Sequence, residues 1–120
     1  MKVILLIISL FLCGITNATT YYISPTGNDA TGNGSAANPW KTLFKATSTV
    51  TGTGDIIHVN AGTYTETQTC NLAIGVSIEG DGKATTILKS SVAGQWVPFI
   101  QMESPNSTNG NQSISNITID

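Results

Sequence analysis

The sequence predicts an all-β fold, a single-stranded parallel β-helix (solenoid) with a short capping helix near its N-terminus. After Gly54, pairs of apolar residues separated by one residue recur along the chain, as expected if one strand per turn faces inward. Clusters of Gly, Asn, Thr and Ser fill the intervals and are typical of turns. The intervals exceed the roughly two to five residues of hairpin loops, which disfavours the alternative, an antiparallel sandwich.

Residues 1–18 have the features of a cleavable secretory signal peptide. Lys2 supplies a positive start, an apolar run follows from Val3 to Leu12, and small residues precede a cleavage point after Ala18. The run is too short for a membrane span, which needs about 20 residues, and no later segment is apolar enough. We therefore expect a secreted or cell-surface protein without a membrane span.

Neither cysteine has a predicted disulfide partner. Cys13 lies within the signal peptide, and the large Leu12 before it disfavours lipid attachment. Once Cys13 is removed, Cys70 has no cysteine to pair with, so packing alone must hold the fold. Cys70 also has no His or Cys neighbour at metal-binding spacing, and we interpret it as a small core or turn residue.

The composition excludes a typical nucleic-acid binder. The chain has five lysines and no arginine against seven acids, with a net charge of −2. Such a chain offers no basic patch for phosphates. Ile, Val and Leu recur too regularly for a disordered chain, so we expect one folded domain.

Residues 19–54 are predicted to hold a strand, a loop and the capping helix. The strand is residues 21–23, and the loop of residues 24–38 consists of turn formers. The helix is predicted from residue 40 to residue 50, where apolar residues recur at helical spacing. Its inward face is Leu43, Ala46, Thr47 and Val50.

Residues 55–120 are predicted to form the first coils of the solenoid. The apolar pairs are Ile57/Val59, Val76/Ile78, Ile100/Met102 and Ile117/Ile119, with a further short pair at Ile87-Leu88. Their spacings of 19, 24 and 17 residues are close to one solenoid turn. We expect Ile57 to stack under Val76, and Val76 under Ile100 and Ile117. His58 and Ser77 would then point outward.

Three segments carry a family resemblance: YYISPTGNDATGNGSAANPWKTLFKA, GDIIHVNAGTYTE and GVSIEGDGKATTIL. Together they resemble the N-terminal part of the pectin lyase-like superfamily, right-handed parallel β-helix proteins that include pectate, alginate and chondroitin lyases. The resemblance covers Tyr21 to Leu88 and implies a right-handed β-helix. It also implies that the solenoid continues beyond Asp120, where the chain stops within a predicted strand.

Within this resemblance, several residues have physical roles. The helix with Trp40 would lie across the open end of the solenoid and shield the core and the strand edges. Gly62 would permit a bend that other residues adopt only at a cost, and Tyr64 would cover the edge of the first turn. Gly80 and Gly82 would form corners after the second strand.

No catalytic, cofactor-binding or metal-binding residue is predicted in this chain. The superfamily's lyases combine a Lys or Arg base with carboxylates that hold calcium, which needs several converging oxygen ligands. Here no base and acid cluster falls at matching positions of successive strands. The acids are scattered: Asp29, Asp55, Glu66, Glu79, Asp81, Glu103 and Asp120. Calcium would be expected only in a longer, catalytic relative.

Two acidic motifs and the only histidine favour structural interpretations. Asn28-Asp29 lacks the alternating acids of a calcium loop, so we interpret it as a turn. Glu79-Gly80-Asp81-Gly82 is likewise interpreted as a turn after a buried strand rather than as ligands. His58 should point outward without an identifiable acid partner, which favours an exposed or groove-side histidine over a catalytic base.

Trp96 and three sequons complete the candidates. Trp96 stands between predicted strands and could stack on a sugar, but covering the core or a loop is favoured because aromatic rings bury a large area. The sequons at Asn106, Asn111 and Asn116 follow from the composition and matter only in a glycosylating host.

The expected function is binding or cleavage of extracellular polysaccharide, with this chain supplying the cap and the first coils. The alternative is a non-catalytic adhesin or a structural solenoid. A Lys or Arg with clustered acids on adjacent turns would favour a lyase, and a C-terminal sorting module without such a cluster would favour an adhesin.

Overall fold

The computed structural model describes residues 17–105 and 109–120. The predicted signal peptide, with Cys13, lies almost wholly outside these ranges, and so does the sequon residue Asn106. In the described ranges no helix is long and apolar enough to cross a membrane. The elements in chain order are β1 (Thr20–Ile23), α1 (Leu43–Thr49), β2 (Ile56–Val59), β3 (Gly62–Glu66), β4 (Cys70–Leu72), β5 (Ser77–Gly80), β6 (Thr86–Ser90), β7 (Ile100–Met102), β8 (Ile114–Ser115) and β9 (Thr118–Ile119).

The strands form three parallel sheets. The first sheet has the order β1-β2-β5-β8, the second β3-β6-β9 and the third β4-β7. Every pairing between these strands is parallel. The prediction of a mainly β structure with parallel strands and one short helix is therefore confirmed.

Successive strands visit the three sheets in turn. β2, β3 and β4 lie in the first, second and third sheet, and β5, β6 and β7 pair with them in the same order. The buried apolar side chains form one cluster, which includes Ile23, Leu43, Ile57, Val59, Leu72, Val76, Ile78 and Leu88. β8 and β9 lie at the opposite end from α1, and there Met102 and Ile119 are exposed.

The helix begins at Leu43, three residues later than predicted. Thr42 is its N-cap: the backbone there is extended, and the Oγ1 atom accepts a hydrogen bond from the Lys45 N–H at 3.1 Å. Trp40 is extended instead and forms a parallel bridge with Ile23 beside β1. The predicted inward face is correct, because its four residues are buried. α1 packs against β1, β3 and β4, beside the strand that begins the first sheet.

The predicted stacking of the apolar pairs is wrong. Ile57 pairs with Ile78 rather than with Val76, because β5 is shifted by two residues from the predicted register. Ile100 lies in the third sheet beside Cys70, and Ile117 lies between β8 and β9. A shift of two residues leaves every side chain on the same face, so alternation alone does not distinguish these registers.

The predicted loop of residues 24–38 folds around Trp40. The indole stacks on Tyr21 with ring centroids 5.6 Å apart, and its Nε1 atom donates to the carbonyl of Gly32 at 3.0 Å. Gly34 adopts φ +78°, and a side chain there would meet the Trp40 ring. The loop is therefore held by one buried aromatic ring, although the residues around the ring are mostly turn formers.

Thr86 is an apparent weak point of the core. The residue is fully buried in β6, and its Oγ1 atom has no hydrogen-bond partner among the described residues. Thr86→Val keeps the shape and removes the unpaired hydroxyl, so we expect about 1 kcal/mol more stability, measured by urea unfolding. Thr85→Val is the control, because Thr85 is exposed and donates to Gly82 at 3.3 Å. Equal effects of the two substitutions would contradict this prediction.

Candidate functional site

The outer face of the first sheet carries two rows of side chains that point away from the core. One row is Tyr22, His58, Glu79 and Ser115, which are register partners on β1, β2, β5 and β8. The second row runs from Thr20 through Ile56 to Ser77. His58 alternates with the buried Ile57 and Val59, so its predicted outward direction is confirmed.

A stack of glycines forms the corner that precedes these strands. The Gly54 N–H donates to the Gly75 carbonyl at 2.8 Å, and the Gly75 N–H donates to the Gly110 carbonyl at 2.7 Å. Gly54 and Gly75 both have positive φ, at +93° and +77°, which glycine adopts without steric cost. Gly54 and Gly75 border an open space beside the outer face.

This space is a groove of about 460 Å³. The groove crosses β2, β5 and β8, and the glycine corner lies at one side of it. Ile56 adds an apolar side chain to its lining. Six polar side chains line it: Thr53, Ser77, Glu79, Asn111, Ser113 and Ser115. None of the six makes a hydrogen bond to another described residue, so their hydrogen-bonding capacity is available to a ligand.

The charge of the groove is negative. Glu79 is exposed and is the only ionisable residue that lines it among the residues the structure describes. No lysine lines the groove within residues 17–105 and 109–120. Asp81 adds a second carboxylate just beyond the end of β5, on the chain that leaves this face.

His58 has a carboxylate partner, Asp81, which could not be identified from the sequence. Its Nε2 atom lies 2.8 Å from Asp81 Oδ1, and the Asp81 Oδ2 atom accepts from the Ala61 N–H at 2.7 Å. The Ala61 hydrogen bond and then the His58 hydrogen bond lower the pKa of Asp81. The His58 ring also lies 5.3 Å from that of Tyr22. Asp81 thereby orients an imidazole on the outer face, beside the groove.

The Asn28-Asp29 motif has a structural role, as expected, but its two residues act differently. Asn28 Oδ1 accepts from the N–H groups of Ala30 and Thr31 and forms the predicted turn. Asp29 reaches across to the start of α1, where its carboxylate accepts from the Lys41 N–H at 2.7 Å and from the Thr42 hydroxyl at 2.8 Å. The motif ties the loop to the helix.

Glu66 is the buried acid that the sequence interpretation missed. Its side chain, at the end of β3, is 2% exposed. Oε1 accepts from the Leu43 N–H at 2.7 Å and Oε2 from the Phe44 N–H at 3.2 Å, so Glu66 satisfies two free donors of the first helical turn. Burial raises the pKa of Glu66, and the two backbone donors oppose this.

The interpretation of Cys70 from the sequence is confirmed, and that of Trp96 is wrong. Cys70 is a core residue: it is fully buried in β4, and burial raises the pKa of its thiol to about 12. Trp96 is 92% exposed with φ +68°, so the favoured interpretation that it covers the core or a loop is wrong. Trp96 lies in the segment between β6 and β7, on the connection from the second to the third sheet.

The described residues contain no group of three or more His, Cys, Asp or Glu side chains that could hold a metal ion. What the geometry brings together is a hydroxyl- and carboxylate-lined groove with an oriented His58–Asp81 pair beside it. Such an arrangement can donate to and accept from ligand hydroxyls.

The comparisons with known proteins identify a family and no characterised relative. No curated protein matches the chain, and no solved structure matches it. Residues 25–118 match a family described as protein of unknown function, DUF1565. The match begins just after β1, covers α1, the residues that line the groove and the strands from β2 to β8, and ends at the first residue of β9. The chain therefore belongs to the DUF1565 family.

Proposed function

We propose that this protein is an exported right-handed parallel β-helix that binds extracellular polysaccharide in the groove on the outer face of its first sheet. One observation carries the binding proposal: polar side chains without partners among the described residues line an open groove that crosses three parallel strands. Sugar rings present hydroxyls that need both donors and acceptors, and Ser, Thr and Asn side chains supply both. Ile56 offers an apolar contact for the C–H face of a ring.

The fold supports this proposal through its repetition. The described strands visit three parallel sheets in a repeating order, which is expected of a β-helix and supports that part of the proposal. A groove along such a stack runs across the strands, so neighbouring turns supply similar side chains at regular steps. A polysaccharide repeats its sugar units in the same manner. The resemblance to the pectin lyase-like superfamily and the predicted signal peptide support an extracellular role.

The proposal is binding rather than catalysis. His58 and Asp81 form a pair, but no Lys or Arg lines the groove beside them in the described residues. Elimination from a uronic acid needs neutralisation of the sugar carboxylate as well as a base. Of the described residues that line the groove, Glu79 alone is ionisable, and it does not supply that positive charge.

A steric substitution tests the groove. The purified full chain is measured by biolayer interferometry against a panel of immobilised polysaccharides. Ser77 is half-buried at the centre of the outer face, so Ser77→Trp fills the groove, and we expect binding to weaken at least about tenfold, a change of roughly 1.4 kcal/mol. Thr63→Trp is the matched control, because Thr63 is exposed on β3 in the second sheet.

Two outcomes contradict the proposal. If the Ser77→Trp variant binds polysaccharide as tightly as the unmodified protein, the ligand does not bind in the groove. A protein that binds no polysaccharide of the panel would favour the structural solenoid or adhesin instead. Circular dichroism of both variants confirms that each has folded.

A further inference from the structure

The groove combines hydrogen-bonding capacity with charge of one sign. Glu79 projects into it from β5, and its carboxylate makes no hydrogen bond to a described residue. Asp81 follows on the same chain segment, and its pKa is lowered, chiefly by the Ala61 N–H, so it remains ionised at neutral pH. The remaining polar lining groups are neutral hydroxyls and one amide.

We infer that the groove selects neutral polysaccharides and rejects acidic ones, and that Glu79 is the residue that determines this specificity; the inference rests on the proposed function. An acidic polysaccharide carries a carboxylate or sulfate on many of its rings. Placed near Glu79 without a cation to neutralise it, that group would be repelled. The lining of the groove therefore does not fit the uronic acid polymers cleaved by the lyases that the sequence resembles.

A neutral sugar uses the same carboxylate favourably. Glu79 can accept hydrogen bonds from two sugar hydroxyls, and bonds to a charged acceptor are stronger than those between neutral groups. Ser77 and Ser115 flank Glu79 within the groove and can donate or accept as the sugar requires. Glu79 thus attracts hydroxyl-rich ligands and repels anionic ones.

The test compares polymers that share a backbone and differ in the charge of their substituents. Fully methyl-esterified polygalacturonate and its de-esterified form share one chain, and hydroxyethyl-cellulose and carboxymethyl-cellulose share another. Immobilised forms of all four are probed with the full chain at low salt and in 1 M NaCl. We expect the neutral member of a pair to bind about five- to tenfold more tightly at low salt. Salt should reduce this ratio, because screening weakens the repulsion.

Glu79→Lys should reverse the preference, so that the acidic member binds more tightly than the neutral one. Thr63→Lys adds a lysine to an exposed site on another sheet and should leave the ratio unchanged. Tighter binding of the acidic members by the unmodified protein overturns the inference while the proposed function stands. An unchanged ratio in Glu79→Lys overturns the role of Glu79. Absence of binding to these polymers and to the wider panel overturns the proposed function and the inference together.

Discussion

Val76→Asp is expected to unfold the protein. Val76 is fully buried, and an ionised carboxylate without a partner in such a site costs several kcal/mol. The register adds a second penalty: Ile56 pairs with Ser77, so residue 76 is aligned with Asp55, whose side chain is nearly buried. Two acids would then lie side by side at the start of the first sheet. Small domains have a total stability of about 5–15 kcal/mol. We therefore expect thermal unfolding of the variant to show either no folded baseline at 25 °C or a midpoint temperature far below that of the unmodified protein.

Ser77→Asp is the matched control, because it places the same side chain at the next residue. Ser77 is half-buried and points away from the core, so we expect its substitution to change stability by about 0.5 kcal/mol or less. Equal losses of thermal stability in the two variants would show that the inward assignment of Val76 is wrong.

Glu66→Ala is expected to produce the second large effect, a loss of about 3 kcal/mol. The substitution leaves the Leu43 and Phe44 N–H groups without their acceptor and opens a cavity beneath the helix. Glu66→Gln retains one acceptor oxygen and should lose less. The measurement is the urea midpoint of each variant, with an unchanged m-value as the sign that the same surface is exposed on unfolding.

The pH dependence of Glu66 has a definite sign. Burial raises the pKa of the folded-state carboxyl above its unfolded value, so the folded state binds the proton more tightly. The resulting stabilisation is fully present below the unfolded pKa and is lost as pH rises through the folded pKa. The stability difference between the unmodified protein and Glu66→Gln should therefore shrink from about pH 4 towards neutral pH. A difference that grows over this interval would contradict the assignment.

The sequence predicted which residues face the core better than it predicted which strands pair. Alternation correctly placed Ile57 and Val59 inside and His58 outside. The prediction of pairing failed because apolar pairs from three different sheets were interpreted as one stack, although Ile78 lies in the first sheet and Ile100 in the third. The described residues place four strands in the first sheet, three in the second and two in the third, and spacing along the chain does not identify the sheet of a strand.

The site was harder to predict because its parts come from distant segments. The hydrogen bond from His58 to Asp81 joins residues 23 positions apart, and the contact follows from a register that the pattern had not determined. Glu66 binds the N–H of Leu43 at the start of α1, 23 residues earlier in the chain. Its burial was not predicted, because the pattern used to find core residues counts apolar residues and Glu66 is charged. The glycine corner was visible as Gly54 and Gly75 before successive strands, but glycines also mark ordinary turns. Trp96 was misjudged because a large aromatic residue is usually buried.

The parallel pairing also determines how the chain can fold. Strand partners are separated by 21 residues between Ile56 and Ser77 and by 36 between Thr20 and Ile56. Every strand pairing in the described chain is parallel, so no sheet hydrogen bond can form as a local hairpin. Each pairing first incurs the entropy of closing a long loop, which places such topologies among the slow folders, on timescales of milliseconds to seconds. During synthesis β1 has no partner until β2 has followed it, and the unpaired edges of early strands are then open to association with other chains.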